Sequence, residues 1–279
     1  IAQMFVGKDT SVRLVIVALL SGGHVLLEDV PGVGKTLLAK SLARSINGKF
    51  QRIQCTPDLL PSDITETNIW NQRDQVFEFV PGPVFANIFL ADEINRATPR
   101  TQSALLEVME EQQVTIDGQT RPVEKPFFVI ATQNPIEYQG TFPLPEAQMD
   151  RFAISLSLGY PSAEEELQML QRQGNQLEDL QASISPQDVL ELQRQVLEVK
   201  VATPLQQYIL NLIRASREDE EVRLGVSPRG SVALQRTTQA LAFLEGRDYA
   251  IPDDVKFLAP YVLSHRMIAA GGRKEKMIV

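Results

Sequence analysis

Val25–Thr36, with the sequence VLLEDVPGVGKT, is the stretch that decides the fold. It opens with a short apolar run, as expected of a buried parallel strand. Gly32 and Gly34 allow a tight turn that points backbone N–H groups at an anion, and the next ten residues follow an amphipathic helix pattern. The turn therefore joins a strand to a helix N-terminus, where the helix dipole favours phosphate. In this motif Lys35 would reach the β- and γ-phosphates, and the Thr36 hydroxyl would bind Mg²⁺.

Asp29 occupies the position at which a phosphate-binding loop ordinarily begins with glycine. Asp tolerates unusual backbone angles better than most residues do, and we expect its carboxylate to point away from a bound triphosphate. The alternative interpretation is a glycine-rich turn in which a Lys-Thr pair occurs by chance. The strand before the loop and the helix after it favour nucleotide binding.

A second informative stretch is Asn87–Glu93, with the sequence NIFLADE, an apolar strand that ends in two carboxylates. A phosphate loop followed by such a strand is the core of a nucleoside triphosphatase, in which hydrolysis depends mostly on positioning and charge neutralisation. We expect Asp92 to hold Mg²⁺ through a water molecule and Glu93 to polarise the attacking water as general base. The alternative is an exposed acidic strand end without a catalytic role.

The remaining pattern predicts an α/β chain that becomes helical in its second half. Further strands are expected at 50–55, 127–132 and 152–158, β-prone runs at 64–70 and 76–80, a hairpin at 114–123, and helices at about 11–20 and 98–111. From residue 160 the pattern is helical only, with Ser-Pro or Thr-Pro pairs placed before several helices.

These patterns predict two domains. The first is an α/β nucleotide-binding domain over residues 1–160, with an insertion at about 58–86 and a β-hairpin at about 112–126. The second is a small all-helical lid domain over residues 161–279.

Composition limits the possible functions. The net charge of −8, from 27 Lys and Arg against 35 Asp and Glu, argues mildly against a nucleic-acid partner. The single cysteine, Cys55, excludes an internal disulfide and fits a reducing cytosol. It lies in an apolar strand context that favours an inert core position, and with His24 and His265 it forms no recognisable zinc motif. The sequence contains no run of 18 apolar residues that would predict a membrane span.

Four stretches together resemble the MoxR family of AAA+ ATPases. They are residues 27–36, Ala91–Ala97 (ADEINRA), Ala131–Pro135 (ATQNP) and Leu144–Phe152 (LPEAQMDRF). The resemblance covers nearly the whole chain, and loops similar to the one containing Asp29 occur in the family. It implies an AAA+ P-loop NTPase domain, with a parallel sheet and helices on both faces, followed by a helical lid. It also implies ATP and Mg²⁺ as cofactors.

The resemblance assigns further roles. Asn134 would be sensor 1, which orients the water or contacts the γ-phosphate. Arg151 would be the arginine finger, acting on the nucleotide of a neighbouring subunit, and Arg229 would be sensor 2, reaching from the lid to the γ-phosphate. The alternatives are a turn cap for Asn134, a local ion pair with Asp150 for Arg151, and a first-turn surface position for Arg229.

Two other arginines, Arg96 and Arg100, are competing candidates for the trans-acting finger. The residues expected to contact the nucleotide are Val6, Gly7, Pro31, Gly32, Val33, Gly34, Lys35, Thr36, Leu37 and Asp92. Of these, Thr36 and Asp92 are the expected metal ligands. The insertion and the hairpin would line a ring pore or contact protein clients.

The leading hypothesis is a Mg²⁺-dependent ATPase that works as a homo-oligomeric, hexameric ring and remodels protein clients. An arginine supplied in trans completes such a site only at a subunit interface. The resemblance implies chaperone-like help in maturing or activating protein complexes, a partner with a von Willebrand factor A domain, and a cytoplasmic location.

Three alternatives stay open at this point. One is the ATPase subunit of a magnesium chelatase, whose core looks similar. Another is a DNA-remodelling ATPase, against which the hairpin argues because Arg121 and Lys125 are balanced there by two acidic residues. The third is a nucleotide-gated scaffold without hydrolysis, against which the carboxylate pair argues.

Overall fold

The computed structural model describes residues 5, 7–71, 75–116, 118–135, 140–171 and 176–270. The helices are α1 (Asp9–Leu20), α2 (Lys35–Ser45), α3 (Pro61–Thr65), α4 (Pro99–Glu111), α5 (Glu146–Met149), α6 (Ala163–Gln171), α7 (Gln176–Asp179), α8 (Pro186–Val196), α9 (Thr203–Glu218), α10 (Pro228–Leu244) and α11 (Pro252–Leu263). The strands are β1 (Val25–Glu28), β2 (Phe50–Gln54), β3 (Glu66–Asn71), β4 (Val76–Pro81), β5 (Ile88–Asp92), β6 (Gln113–Ile116), β7 (Gln119–Pro122), β8 (Phe128–Gln133), β9 (Ile154–Leu156), β10 (Val222–Leu224) and β11 (Ile268–Ala269). Short 3-10 helices cover Ile94–Arg96 and Ser264–Arg266. Within these described ranges, no helix is both long and apolar enough to cross a membrane.

The central sheet has five strands in the order β2-β5-β8-β1-β9. Parallel pairing joins β2 to β5, from Phe50↔Ile88 to Gln54↔Asp92, and β5 to β8, from Ile88↔Phe128 to Ala91↔Ala131. Strand β5 is buried along its whole length, as its continuous apolar sequence predicts. Because neighbouring parallel strands end at the same sheet edge, the polar residues that follow β5 and β8 are brought together.

Two hairpins form between the sheet strands in sequence. Strand β3 pairs with β4 and β6 with β7, both antiparallel, as the β-prone runs and the hairpin pattern predicted. The first run was predicted to begin at Ile64, but Ile64 and Thr65 end α3 instead. Pro61 is the first residue of α3, and the Asp63 carboxylate accepts a 2.8 Å bond from the Leu60 N–H, which favours a helix start. Residues 72–74, Asp117 and the Trp70 side chain lie outside the described residues.

In the described part of the chain beyond residue 160 the regular structure is helical, as predicted, apart from one short antiparallel strand pair and an isolated bridge between Lys200 and Tyr249. Strand β10 pairs with β11 through Val222↔Ala269 and Leu224↔Ile268, so the prediction of helices only is corrected there. These strands have three and two residues, too few to produce an alternating sequence pattern. The predicted cap at Ser227 forms, because its hydroxyl accepts a 3.3 Å bond from the Gly230 N–H at the start of α10. The Thr203-Pro204 pair does not precede α9 as predicted, since Thr203 is already in the helix and the N-cap is Ala202, which makes no side-chain cap bond.

Two compact units make up the chain. The first comprises Ile1–Asp9, Leu27–Leu144 and Leu158–Pro186 and includes the phosphate loop. The second comprises Thr10–Leu26, Pro145–Ser157 and Gln187–Val279 and includes α1 and α8 to α11. In the second unit α9 buries Leu205, Ile209 and Ile213, spaced four residues apart on one face. The domain boundary near residue 160 stays a prediction.

Candidate nucleotide-binding site

The loop between β1 and α2 has the backbone that an anion site requires. Gly32 and Gly34 have φ angles of +89° and +94°, a region that strains any residue with a side chain. Gly34 is also the N-cap of α2, so no capping side chain covers the first N–H groups of the helix. These groups, with the positive end of the helix dipole, are suited to phosphate.

The Asp29 carboxylate accepts hydrogen bonds from the segment that follows β9. It accepts bonds from the N–H groups of Leu158 at 2.6 Å and Gly159 at 3.1 Å, and the residue is only 4% exposed. The Asp29 main-chain oxygen accepts a 2.9 Å bond from the Lys35 ammonium. Asp29 therefore connects the loop and its lysine to the segment at 158–159.

Lys35 is buried, with 8% of its surface exposed. Burial lowers its pKa, and the nearby charges of Asp92, Asp29 and Glu93 partly oppose that shift. A desolvated ammonium gains more from a neighbouring anion than an exposed one does, which suits Lys35 to a phosphate.

Thr132, the residue on β8 beside the end of β5, holds both predicted acidic residues. Its hydroxyl donates to Asp92 Oδ1 at 2.6 Å and accepts from the Glu93 N–H at 2.8 Å. Glu93 has left-handed backbone angles, φ 56° and ψ 51°, which non-glycine residues adopt at a cost and which cluster at functional sites. Thr132 thus holds the Asp92 carboxylate and the Glu93 backbone at the strand end.

Two β2 side chains that the sequence analysis did not identify also contact these acids. Arg52 Nη2 donates to Asp92 Oδ2 at 2.6 Å, and Gln54 Nε2 donates to Glu93 Oε2 at 2.8 Å. Arg96 Nη1 is 3.0 Å from the same Glu93 oxygen. The i, i+2 spacing of Arg52 and Gln54 places them on one face of β2, but only the β2–β5 register shows that this face meets the acids.

The phosphate loop, the two acids and the two β2 side chains line one cavity of about 390 Å³ in the first unit. Its lining residues are Pro31, Gly32, Gly34, Lys35, Thr36, Leu37, Arg52, Gln54, Asp92 and Glu93. The cavity therefore brings together the phosphate loop, both acidic residues and the predicted metal ligands.

The cavity offers Mg²⁺ the oxygen ligands that it prefers, from the Thr36 hydroxyl and the Asp92 carboxylate. Among the described residues, no group of three or more His, Cys, Asp or Glu side chains is arranged to hold a metal ion. These residues fit a Mg²⁺ ion that uses one or two protein oxygens and completes its coordination with substrate phosphates and water.

The other described residues that are expected to contact the nucleotide are not among those that line this cavity. Asn134 follows β8 at the same sheet edge and is buried. Gly7 lies against α6, where an added Cβ would overlap the Glu165 carboxylate, and Val33 is half-buried within the loop. Val6 lies outside the described residues.

Arg151 and Arg229 line a common cavity of about 170 Å³ whose lining residues all belong to the second unit. Asp150 bonds Arg266 Nε at 2.7 Å and the Ser227 hydroxyl at 2.7 Å. Because Ser227 caps the helix that carries Arg229, Asp150 connects the segments that carry the two arginines.

The competing arginines lie elsewhere in the first unit. Arg96 pairs with Glu93, as described above, and Arg100 lines a separate groove formed by α3, α4 and β6. Cys55 is fully buried, and burial, with smaller effects of Asp92 and Glu93, raises its pKa to about 12. A thiol that stays protonated is inert, as predicted.

The fold and this site define a P-loop nucleoside triphosphatase of the AAA class. Residues 24–154 match the model of the ATPase family associated with various cellular activities (AAA), and residues 214–277 match that of the AAA lid domain.

Similar proteins narrow the class to a family. The chain is 53% identical over 270 residues to YeaC of Bacillus subtilis, covering 96% of this chain and 84% of that one. It is 46% identical over 277 residues to Chaperone MoxR1 of Mycobacterium tuberculosis, covering 96% and 74%. A crystal structure of a candidate ATPase from Cytophaga hutchinsonii matches with a TM-score of 0.92 and 41% identity over 99% of this chain and 89% of that one. The chain belongs to the MoxR family of AAA+ ATPases and is an ATPase.

Proposed function

We propose that this ATPase hydrolyses Mg²⁺-bound ATP to drive chaperone-like remodelling, maturation or activation of protein complexes, as a homo-oligomeric and hexameric ring. The observation that carries the proposal is the cavity in which the phosphate loop, Asp92 and Glu93 meet. Similarity to a protein named Chaperone MoxR1 supports the chaperone-like role.

In this proposal each group of the cavity has a task. The loop N–H groups and Lys35 bind the β- and γ-phosphates, and Thr36 and Asp92 hold Mg²⁺, which when bound neutralises charge on the phosphoryl oxygens. Glu93 accepts a proton from the attacking water. Both bonds described for the Glu93 carboxylate are to Oε2, so we assign Oε1 to the water.

Three further roles belong to the proposal. Asn134 orients the water or contacts the γ-phosphate, Arg151 acts on the nucleotide of a neighbouring subunit, and Arg229 senses the γ-phosphate. We also propose protein clients, a partner with a von Willebrand factor A domain and a cytoplasmic location, all on family resemblance.

Replacing Glu93 by Gln tests the proposal. The amide keeps the shape of the side chain and loses the base, so Glu93→Gln should bind ATP, release little phosphate and accumulate as an ATP-bound oligomer. Phosphate release and light scattering after size-exclusion chromatography measure these properties.

Glu124→Gln is a matched control, because Glu124 is exposed, lies 3.7 Å from Lys49 and is not one of the residues that line the cavity. It should hydrolyse ATP like the wild type. Wild-type turnover in Glu93→Gln would remove Glu93 as the base, and a protein that stays monomeric with an ATP analogue and Mg²⁺ would contradict the ring.

A further inference from the structure

Arg52 donates a hydrogen bond to the carboxylate of Asp92, the residue to which we assign the metal. Its Nη2 donates to Asp92 Oδ2 at 2.6 Å and to Gln54 Oε1 at 2.9 Å. The position follows from the sheet, because the parallel register pairs Gln54 with Asp92, and Arg52 shares the face of Gln54 two residues earlier. The guanidinium is therefore part of the cavity lining, beside the phosphate loop.

The Asp92 carboxylate has a partner on each oxygen. Thr132 donates to Oδ1 at 2.6 Å and Arg52 donates to Oδ2. The Thr132 hydroxyl is neutral and can stay when a cation arrives, whereas Arg52 carries a positive charge. A divalent ion bound at Asp92 must therefore replace Arg52 or share the carboxylate with it against like-charge repulsion.

The exposure of the two partners favours replacement. The Asp92 side chain is 12% exposed, but that of Arg52 is 43% exposed, so the guanidinium can turn into solvent while the carboxylate stays in place. A partly exposed ion pair of this kind contributes little to folding. Its main consequence is competition for the metal ligand.

We propose that Arg52 is a positioning residue that holds the Asp92 carboxylate until Mg²⁺ replaces the guanidinium there. Arg52 thereby sets the Mg²⁺ concentration needed for tight nucleotide binding. This inference rests on the proposed role of Asp92 as a metal ligand. In the absence of Mg²⁺ the Arg52–Asp92 pair neutralises the carboxylate, and on Mg²⁺ binding the pair opens.

The test is a Mg²⁺ titration of nucleotide affinity, which does not depend on turnover. Calorimetry gives the Kd of a non-hydrolysable ATP analogue at a series of Mg²⁺ concentrations. Arg52→Gln should lower the midpoint of the Mg²⁺ dependence by about two- to fivefold, the range expected on losing a partly exposed ion pair. Arg52→Lys keeps the charge and loses the planar guanidinium, so its Mg²⁺ midpoint should lie between those of the wild type and Arg52→Gln.

Lys49→Gln is the matched control, because it removes the same charge one residue before β2, from a side chain 3.7 Å from Glu124. Its Mg²⁺ midpoint should equal that of the wild type. An unchanged midpoint in Arg52→Gln, or an equal shift in Lys49→Gln, overturns the inference. Thermal unfolding of each variant verifies that the fold is kept.

Asp92→Asn separates this inference from the proposed function. If Asp92 holds the metal, this variant should lose most of the Mg²⁺ effect on affinity, and adding Arg52→Gln should change nothing further. A wild-type Mg²⁺ response in Asp92→Asn would refute the metal assignment itself. A lost response in Asp92→Asn together with an unshifted midpoint in Arg52→Gln would refute only the role of Arg52.

Discussion

At the scale of single residues, Asp29 is the position that departs from the usual phosphate loop, and the structure gives it a task. Its carboxylate bonds two N–H groups at 158–159, and its main-chain oxygen bonds Lys35. Glycine at this position would leave both N–H groups without that acceptor. Asp29 therefore lacks the backbone freedom of glycine but connects the loop to a segment that is distant in the sequence.

Asp29→Asn should reduce both stability and nucleotide affinity. The amide has one oxygen for two N–H donors, and its NH₂ group would face a donor, so a buried group is left unsatisfied at a cost of about 1–3 kcal/mol. Urea unfolding measures the stability, and calorimetry measures the affinity for an ATP analogue.

Asp63→Asn is the control for this change, since the Asp63 carboxylate also accepts a backbone N–H, at 2.8 Å, but is exposed. Asp63→Asn should lower the free energy of unfolding much less than Asp29→Asn does. A variant Asp29→Asn as stable as the wild type would show that the two bonds at 158–159 contribute nothing measurable.

At the scale of elements, the 3-10 helix Ser264–Arg266 anchors the segment that follows α5. Arg266 is 5% exposed and donates to the Asp150 carboxylate at 2.7 Å and to the Phe152 main-chain oxygen at 2.6 Å. His265 Nε2 lies 2.9 Å from the same oxygen. Burial, and then the Arg266 charge, lower the pKa of His265 well below its ordinary value of 6.5.

This element predicts a pH dependence of stability. In the unfolded chain His265 binds a proton near pH 6.5, whereas in the folded chain it stays neutral, so the free energy of unfolding should fall as the pH drops below about 6.5. His265→Gln removes this titrating group. The slope of the free energy of unfolding against pH should therefore decrease by up to about 1.4 kcal/mol per pH unit, the value for one proton.

Urea unfolding of the wild type and the variant between pH 5 and 8 measures the difference, in which the other titrating groups cancel. The variant is expected to be less stable overall, because it changes a half-buried, hydrogen-bonded site, but its curve should be flatter below pH 6.5. Parallel curves for the two proteins would contradict the assignment.

The elements also show how far the sequence predicts this fold. The buried strands β1, β5 and β8 are continuous apolar runs, and Thr98 before Pro99 marks the start of α4, where Thr98 accepts a bond from the Thr101 N–H. The pair β10–β11 is too short to leave a pattern, and α3 competes with the β-prone run at Ile64 through its local capping bonds. Local signals thus predicted the long elements, and the short ones depended on contacts.

The candidate site divides in the same way. The phosphate loop and the two acids are recognisable because strand–loop–helix and strand–acid patterns are local. Arg52 and Gln54 are not, because their importance comes from the register that β2 takes beside β5. A polar β2 face reads as solvent-exposed until the pairing is known.

At the scale of the whole molecule, the proposed machinery is divided between two compact units. The phosphate loop, Asp92 and Glu93 belong to the first, whereas Arg151 and Arg229 belong to the second and line a common cavity there. We propose that a subunit's Arg151 completes the nucleotide site of its neighbour, which makes ATP hydrolysis a property of the assembly.

Mixing two inactive variants tests this central claim most directly. Lys35→Ala removes the main side-chain charge on the phosphates, and Arg151→Ala removes the finger, which in well-studied GTPases accelerates hydrolysis by about 10³–10⁵-fold. Alone, the first should fail to bind ATP, and the second should bind it and hydrolyse it poorly. Arg194→Ala, an exposed arginine of α8 paired with Glu191, is the matched control and should keep full activity.

The measurement is the ATPase rate of rings shown to contain both variants. The account predicts partial recovery, because some interfaces in a mixed ring join an intact phosphate loop to an intact Arg151. No recovery in such rings would contradict a finger at Arg151 and make Arg96 or Arg100 the next residue to test.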